Sequence, residues 1–146
     1  MKIPTIAVSG GFDPIHKGHV QMIREAAEYG NVIVILNSDE WLIDKKGYKF
    51  MSFEERAYIA GSIKGVTMVA NVDDSDGTVC SALRRFKPDY FANGGDRYEE
   101  NTPEMKVCEE LGIEMLWNVG GGKIQSSSEL VMKAQYGKRR FNGQEF

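Results

Sequence analysis

Two histidines, three residues apart with a glycine between them, are the only ones in the chain: His16 and His19, within GGFDPIHKGH at residues 10–19. Imidazole donates or accepts hydrogen bonds and takes a charge near neutral pH, so two rings on one side of a turn can grip an anion. Gly10 and Gly11 let the backbone turn tightly and approach a ligand. If a helix starts just after them, its first amides add an anion site, and residues three apart project to the same side. A phosphate held there would meet both imidazoles, a helix dipole and close backbone, with Gly18 leaving room. Such a set suits stabilisation of charge growing on a phosphoryl group, which is electrostatic rather than covalent catalysis. Two unrelated surface histidines are the weaker reading, because histidine occurs nowhere else.

Something must hold that turn, and the flanking pattern says what. Continuous apolar runs at Ile3–Val8, Asn31–Asn37, Val66–Val72, Asp89–Gly95 and Ile113–Val119 read as buried strands. Helical patterns fall between them: Val20–Tyr29, a helix opened by Ser52 with Glu55 as its capping-box partner, Thr78–Phe86, Thr102–Gly112 with Pro103 in its first turn, and Ser126–Gly137. Strict alternation of the two implies an α/β fold: a single doubly wound, Rossmann-like domain with a five-stranded parallel sheet covered by helices on both faces. Ligands of such sheets sit outside the carboxyl ends of the strands, and the first βα turn is a favoured place. The domain is expected over residues 1–136. Residues 137–146, GKRRFNGQEF, lose the apolar spacing and gather three cations. They read as a frayed end or, alternatively, as an arm that packs on a partner subunit.

Composition narrows the class further. With 42% apolar residues among 146, the chain can bury a core, and a formal charge of −3 gives no basic field for nucleic acid or an anionic membrane. No apolar run suits a secretory leader or a membrane span, so a soluble cytoplasmic protein is expected. Cys80 and Cys108 form no CxxC pair and read as buried thiols. Asp73, Asp74 and Asp76 lack calcium-loop spacing and read as a solvated loop, so no metal site built from side chains is expected. Trp41 and Trp117 read as core residues, with Trp117 a minor candidate for stacking on a base.

GGFDPIHKGH resembles the HxGH signature of the nucleotidylyltransferase superfamily, whose members couple a nucleoside triphosphate to an acceptor and release pyrophosphate. The resemblance continues in order along the chain. ILNSDEWLIDKKG is similar to the second-strand segment that leads into a lysine-bearing loop, and SFEERAYI to the motif whose arginine follows an acidic helix start. FANGGDR is similar to the strand end of the heptose 1-phosphate adenylyltransferases, and KIQSSSEL to the terminal Ser/Thr motif. The lysine loop matches the glycerol 3-phosphate cytidylyltransferase branch without a gap from Asp39 to Arg56. FDPIH alone resembles the nicotinate mononucleotide and pantetheine phosphate adenylyltransferases, which usually are longer and carry an arginine in the terminal motif.

That resemblance implies roles. His16 and His19 would contact the α- and β-phosphates and stabilise the pentacovalent transition state, with Lys45 as a third catalytic group in the lysine loop. Gly10, Gly11, Phe12, Asp13, Gly18, Gly94, Gly95 and Asp96 would line the nucleotide, Asp96 by hydrogen-bonding its ribose or base. Ser126, Ser127 and Ser128 would donate hydroxyls and cap the last helix. Lys123 would replace the family's missing arginine on the β- or γ-phosphate, as a point charge without the bidentate fork. Asp39, Lys46 and Arg56 would face the acceptor, Arg56 either touching its phosphate or holding the loop. The implied activity is transfer of AMP or CMP to a small phosphorylated acceptor, a sugar or polyol phosphate, with Mg2+ carried on the triphosphate and a homodimer as the expected assembly. The absent arginine motivates a rival: a nucleotide-binding regulatory subunit of the same fold that no longer catalyses.

Overall fold

Five apolar stretches form the sheet of the computed structural model, which describes residues 2–94, 102–121, 127 and 130–135. They are β1 (Thr5–Gly10), β2 (Asn31–Leu36), β3 (Val66–Ala70), β4 (Tyr90–Ala92) and β5 (Glu114–Leu116). All neighbours run parallel in the order β3-β2-β1-β4-β5. The chain moves outward from β1 to β3, then crosses to β4, so the topological switch point lies between β1 and β4.

Side chains of a strand alternate between faces, and each face here meets its own helices. Ile6 and Val8 of β1 and Val32, Val34 and Leu36 of β2 pack with Ile23 and Ala26 of α1 (Lys17–Ala26) and Ala60 of α3 (Phe53–Gly61). Ala7, Ile33 and Ile35 pack on the opposite side with Leu83 of α4 (Cys80–Phe86) and Val107 and Cys108 of α5 (Pro103–Leu111). Burial on both faces is why these strands read as unbroken apolar runs, and each large aliphatic side chain so buried contributes about 1.5–3 kcal/mol. The architecture is the expected doubly wound α/β fold.

Three local expectations change. First, α1 begins at Lys17 rather than Val20, because His16 serves as its N-cap and helix formation precedes the first apolar residue. Second, the lysine-bearing segment is not a loop at the lysines. Residues Asp39–Lys46 form α2, capped by Ser38, whose Oγ accepts from the Trp41 amide at 3.0 Å, and closed by Gly47 at φ 84°. Asp39 and Glu40 sit at its positive end and Lys45 and Lys46 at its negative end, as the helix dipole favours. Third, β4 and β5 are shorter than the apolar runs that contain them, and β5 gives way to a turn where Asn118 has φ 59°. Residues 130–135 of the expected last helix are helical, and residues 137–146 lie outside the described part. No described helix is long and apolar enough to cross a membrane.

Buried polar groups gather at the carboxyl ends of the strands. Asp13 follows β1, Asn37 follows β2, Asp74 follows β3 and Asn93 follows β4, and all are buried together with Arg56 of α3. The Arg56 guanidinium has no exposure and donates to the carbonyls of Gly11 (2.7 Å), Asn37 (2.9 Å) and Met51 (3.1 Å) and to Asp39 Oδ1 (2.8 Å). Asp74, expected in a solvated loop, instead accepts from Asn37 Nδ2 (3.0 Å), the Ser38 amide (2.9 Å) and Ser38 Oγ (2.7 Å). It ties the β3–α4 connection to the start of α2. Asp73 and Asp76 do stay at the surface, turning back on Ser75 and Thr78. Cys108 is buried as expected and burial pushes its thiol up to about 11, whereas Cys80 is only half-buried.

Removing the guanidinium would leave Asp39 with Lys49 alone and would take the donor from the carbonyls of Gly11, Asn37 and Met51, which sit in or beside the core. Arg56→Met should therefore lower stability by about 3 kcal/mol or more in equilibrium urea unfolding. A loss below about 1 kcal/mol would show that the hub is dispensable.

Candidate active site

The first βα turn is built by three fixed points. At its start Phe12 takes a left-handed conformation, φ 52°, which turns its ring inward to 4% exposure. Next, the Asp13 carboxylate, wholly buried, accepts from the amides of Phe50 and Met51, each at 2.6 Å, and pins the loop after α2 against the turn. Finally, α1 is capped reciprocally by the two histidines: His16 Nδ1 accepts from the Gly18 amide at 3.0 Å, and His19 Nδ1 accepts from the His16 amide at 3.1 Å.

This capping box decides the chemistry of both rings. A nitrogen that accepts from a backbone amide carries no hydrogen, so in each neutral imidazole the hydrogen sits on Nε2. The ring centroids are 3.9 Å apart, and Phe12 packs against His19 at 4.4 Å. Burial first, then the proximity of His16 and of the Lys46 ammonium, push His19 down to about 3. His19 is therefore a neutral Nε2–H donor at physiological pH. Gly18 is needed for the ring itself: a Cβ there would come within 2.9 Å of His16 Cε1. The room expected for a phosphate at Gly18 is taken by the His16 imidazole.

The two adjacent lysines part company. Lys46 lies near enough to His19 to influence its charge, whereas Lys45 Nζ sits over the Trp41 ring, 5.3 Å from its centroid. Trp41 is only half-buried, not a core residue, and its Nε1 donates to the Gly77 carbonyl at 3.5 Å. Trp117 is likewise 36% exposed. Arg56, considered for the acceptor phosphate or for holding the loop, is in the second position, with four N–H groups engaged by protein oxygens. Asp39 bridges Arg56 and Lys49 (3.1 Å); burial alone would raise its carboxyl, but those two partners hold it below the usual carboxylate range.

On the far side of β1, Gly94 faces Met22 of α1, and Gly120 rests on the same residue with its amide donating to Glu25. Ser127 Oγ donates to the Pro14 carbonyl at 2.8 Å, which returns the last helical segment to the first turn. Gly95, Asp96, Lys123, Ser126 and Ser128 lie outside the described residues. The structure thus brings His16, His19, Lys46, Asp13, Phe12, Gly10, Gly11 and Ser127 around one turn, and it directs Lys45 elsewhere. The buried Asn37 and Asn93 and the ion-pairing Lys49 went unread in the sequence, and Asp74 was read as solvated; the two asparagines and Asp74 follow strands closely, a position where polar residues support ligand turns.

A Cytidylyltransferase-like family model matches residues 7–120, and the chain belongs to that family of nucleotidyltransferases. The bifunctional protein HldE of Geobacter sulfurreducens is 29% identical over 138 residues, covering 91% of this chain and 28% of HldE. The FAD synthase of Ferroglobus placidus is 29% identical over 106 residues, 73% of this chain and 66% of the synthase. The chain therefore spans about a quarter of the length of the HldE proteins it matches. A crystal structure of the lipopolysaccharide core biosynthesis protein from Thermoplasma volcanium superposes with a TM-score of 0.67 at 19% identity, over 80% of this chain and 94% of that one, and has the same fold.

The depressed His19 pKa has a definite sign. Between pH 6.5 and about 3 the unfolded chain binds a proton at this site that the folded chain refuses, so its contribution to stability is full above pH 6.5 and falls as pH drops through that window. Nitrogen-15 NMR should show His19 as the Nε2–H tautomer with no titration from pH 8 to pH 5. A midpoint near 6.5 would overturn the assignment.

Proposed function

We propose that the chain is a nucleotidylyltransferase that transfers AMP or CMP from a nucleoside triphosphate to a small phosphorylated acceptor, a sugar or polyol phosphate, and releases pyrophosphate. The observation that carries this reading is the histidine capping box, which presents two Nε2–H donors at the start of α1 in the first βα turn. An oxygen of the acceptor phosphate attacks the α-phosphorus in line; the new P–O bond forms as the bond to the β-phosphate oxygen breaks, and that oxygen leaves with pyrophosphate. No general base is required, because a phosphate monoester is already anionic near neutral pH. The histidines are suited to donation and not to proton removal, since each Nδ1 is occupied by a backbone amide. Their work is to hold charge that builds on the α-phosphoryl oxygens, with the α1 amides and Lys46 adding to the same field.

Magnesium would be carried in on the triphosphate and would supply positive charge against its phosphate oxygens. The groups at the turn fit that route: imidazole N–H, amide N–H and ammonium are donors for phosphate oxygens and offer a cation no ligand. From the resemblance, Lys123 and Ser126–Ser128 would serve the triphosphate and Asp96 the ribose or base.

Pyrophosphate release from a panel of nucleoside triphosphates crossed with phosphorylated sugars and polyols tests the reading. The likeness of FANGGDR to the heptose 1-phosphate adenylyltransferases favours ATP over CTP; a clear preference for CTP would move the chain to the cytidylyltransferase branch, and no release with any pair would leave the non-catalytic rival. Because an Nε2–H donor is worth more in the transition state than in the bound triphosphate, His19→Ala should lower kcat by about 10² to 10³ with little change in KM. His16→Ala should behave alike, and the double variant should cost less than the product of the two. Near-wild-type turnover in either folded single variant would remove the pair from catalysis.

A further inference from the structure

The glycine turn after β1 has a floor, and the floor is the start of α2. Gly10 offers its carbonyl to the Asn37 amide at 3.0 Å, and a Cβ on Gly11 would meet Leu42 Cδ2 at 2.7 Å and Trp41 Cζ3 at 3.7 Å. Asn37, Trp41 and Leu42 therefore set the height of the two residues whose backbone must approach a phosphate. Yet α2 is only eight residues long and buries Leu42 alone. A helix that short has little stability of its own and takes its place from whatever anchors it.

The anchor sits on another strand. Asp74, just beyond β3, accepts from Asn37 Nδ2, from the Ser38 amide and from Ser38 Oγ. Two routes lead from it to the glycine turn. One passes through Asn37, whose side chain Asp74 holds and whose N–H meets Gly10. The other passes through the cap: Ser38 Oγ accepts from the Trp41 amide and the Ser38 carbonyl from the Leu42 amide at 3.2 Å, which starts the helical turn lying under Gly11. Asp74 also lines a cavity of about 650 Å³ between α2 and the β3–α4 connection, with Trp41 on its wall, so direct contact with a substrate is the rival role. Its surroundings speak for support. A carboxylate has about four acceptor sites, three donors already engage this one, and the residue is only 6% exposed.

Resting on the nucleotidylyltransferase reading above, we propose that Asp74 is a positioning residue for the first βα turn: through Asn37 and the Ser38 cap it fixes Gly10 and Gly11, and so the approach to the histidine pair, without touching either substrate. A loosened turn misplaces donors that count most in the transition state, so the loss falls on kcat.

Two measurements test this on the full chain: pyrophosphate release, and hydrogen exchange at the residue 37 amide, which reports the link to Gly10 directly. Asp74→Ala should lower kcat by about 10- to 100-fold while the KM of triphosphate and acceptor each stay within about threefold. Exchange at residue 37 should quicken about tenfold or more, with the Val8 amide of β1 unchanged. Asp74→Asn should return kcat to within about threefold of wild type, because its amide oxygen accepts from Asn37 and the Ser38 amide while its NH2 donates to Ser38 Oγ. If Asp74→Ala does not fold, Asn37→Ala cuts the same link from the other side and is read by the same two measurements. A raised acceptor KM with kcat intact overturns the proposal in favour of direct contact. Equal acceleration of exchange at residue 37 and Val8 with kcat unchanged overturns it in favour of general stabilisation, and an Asp74→Asn variant as damaged as Asp74→Ala overturns it as well. Should no pair of substrates release pyrophosphate even in the wild type, the catalytic reading falls and exchange at residue 37 alone decides whether Asp74 holds the turn.

Discussion

One buried cation organises the reacting end of this sheet. Arg56 is wholly inaccessible, and a guanidinium can be taken out of water only if its fork is matched by acceptors. It finds them on four separate segments: the turn after β1, the end of β2, the first residue of α2 and the loop before α3. Those segments carry the glycine turn, Asp39 and the loop that Asp13 pins. Arginine suits the position because its planar donors point in several fixed directions at once, which a lysine ammonium does not reproduce. Asp74 repeats the device on a smaller scale one strand further out, where its carboxylate gathers Asn37 and Ser38. The loops at the strand ends are thus coupled to one another before any ligand arrives, and a substrate need not spend binding energy to order them.

At the histidines, structure and chemistry use the same atoms. Nδ1 of each ring closes the helix, and that obligation places the hydrogen on Nε2. Helix capping normally falls to serine, threonine, aspartate or asparagine. Here the caps are residues whose other edge can still donate, so a local folding requirement leaves a reactive face in a defined protonation state.

How much of this was legible beforehand depended on whether a residue's role leaves a pattern. The parallel sheet was legible because strands buried on both faces must be apolar throughout, as NVIVIL is. The histidine pair was legible through scarcity and spacing, though its part in capping was not, since histidine is not read as a cap. α2 escaped notice because it buries only Leu42 and shows no apolar stripe; its evidence lies in Ser38, the charge order along DEWLIDKK and Gly47. Asp74 was read as a solvated charge because charged side chains are almost always exposed, and Arg56 as either an acceptor contact or a holder of the loop; no local feature reveals that their partners lie in distant segments. Trp41 failed for the converse reason: an aromatic residue in an apolar context is usually core, and only the fold shows it standing on a cavity wall.

That α2 is a helix at its lysines, not a loop, has an evolutionary consequence. Successive residues on a helix are separated by about 100° around its axis, so Lys45 and Lys46 are committed to different neighbourhoods although they adjoin in the chain. A loop would let either ammonium drift to either place, and the order of the two residues would hardly matter. On a helix anchored at one end by Ser38 and halted at the other by Gly47, the dipeptide works as a phase-sensitive code. Inserting or deleting a single residue within α2 would rotate both charges away from their stations at once, so descendants of this chain should vary α2 by substitution and rarely by length.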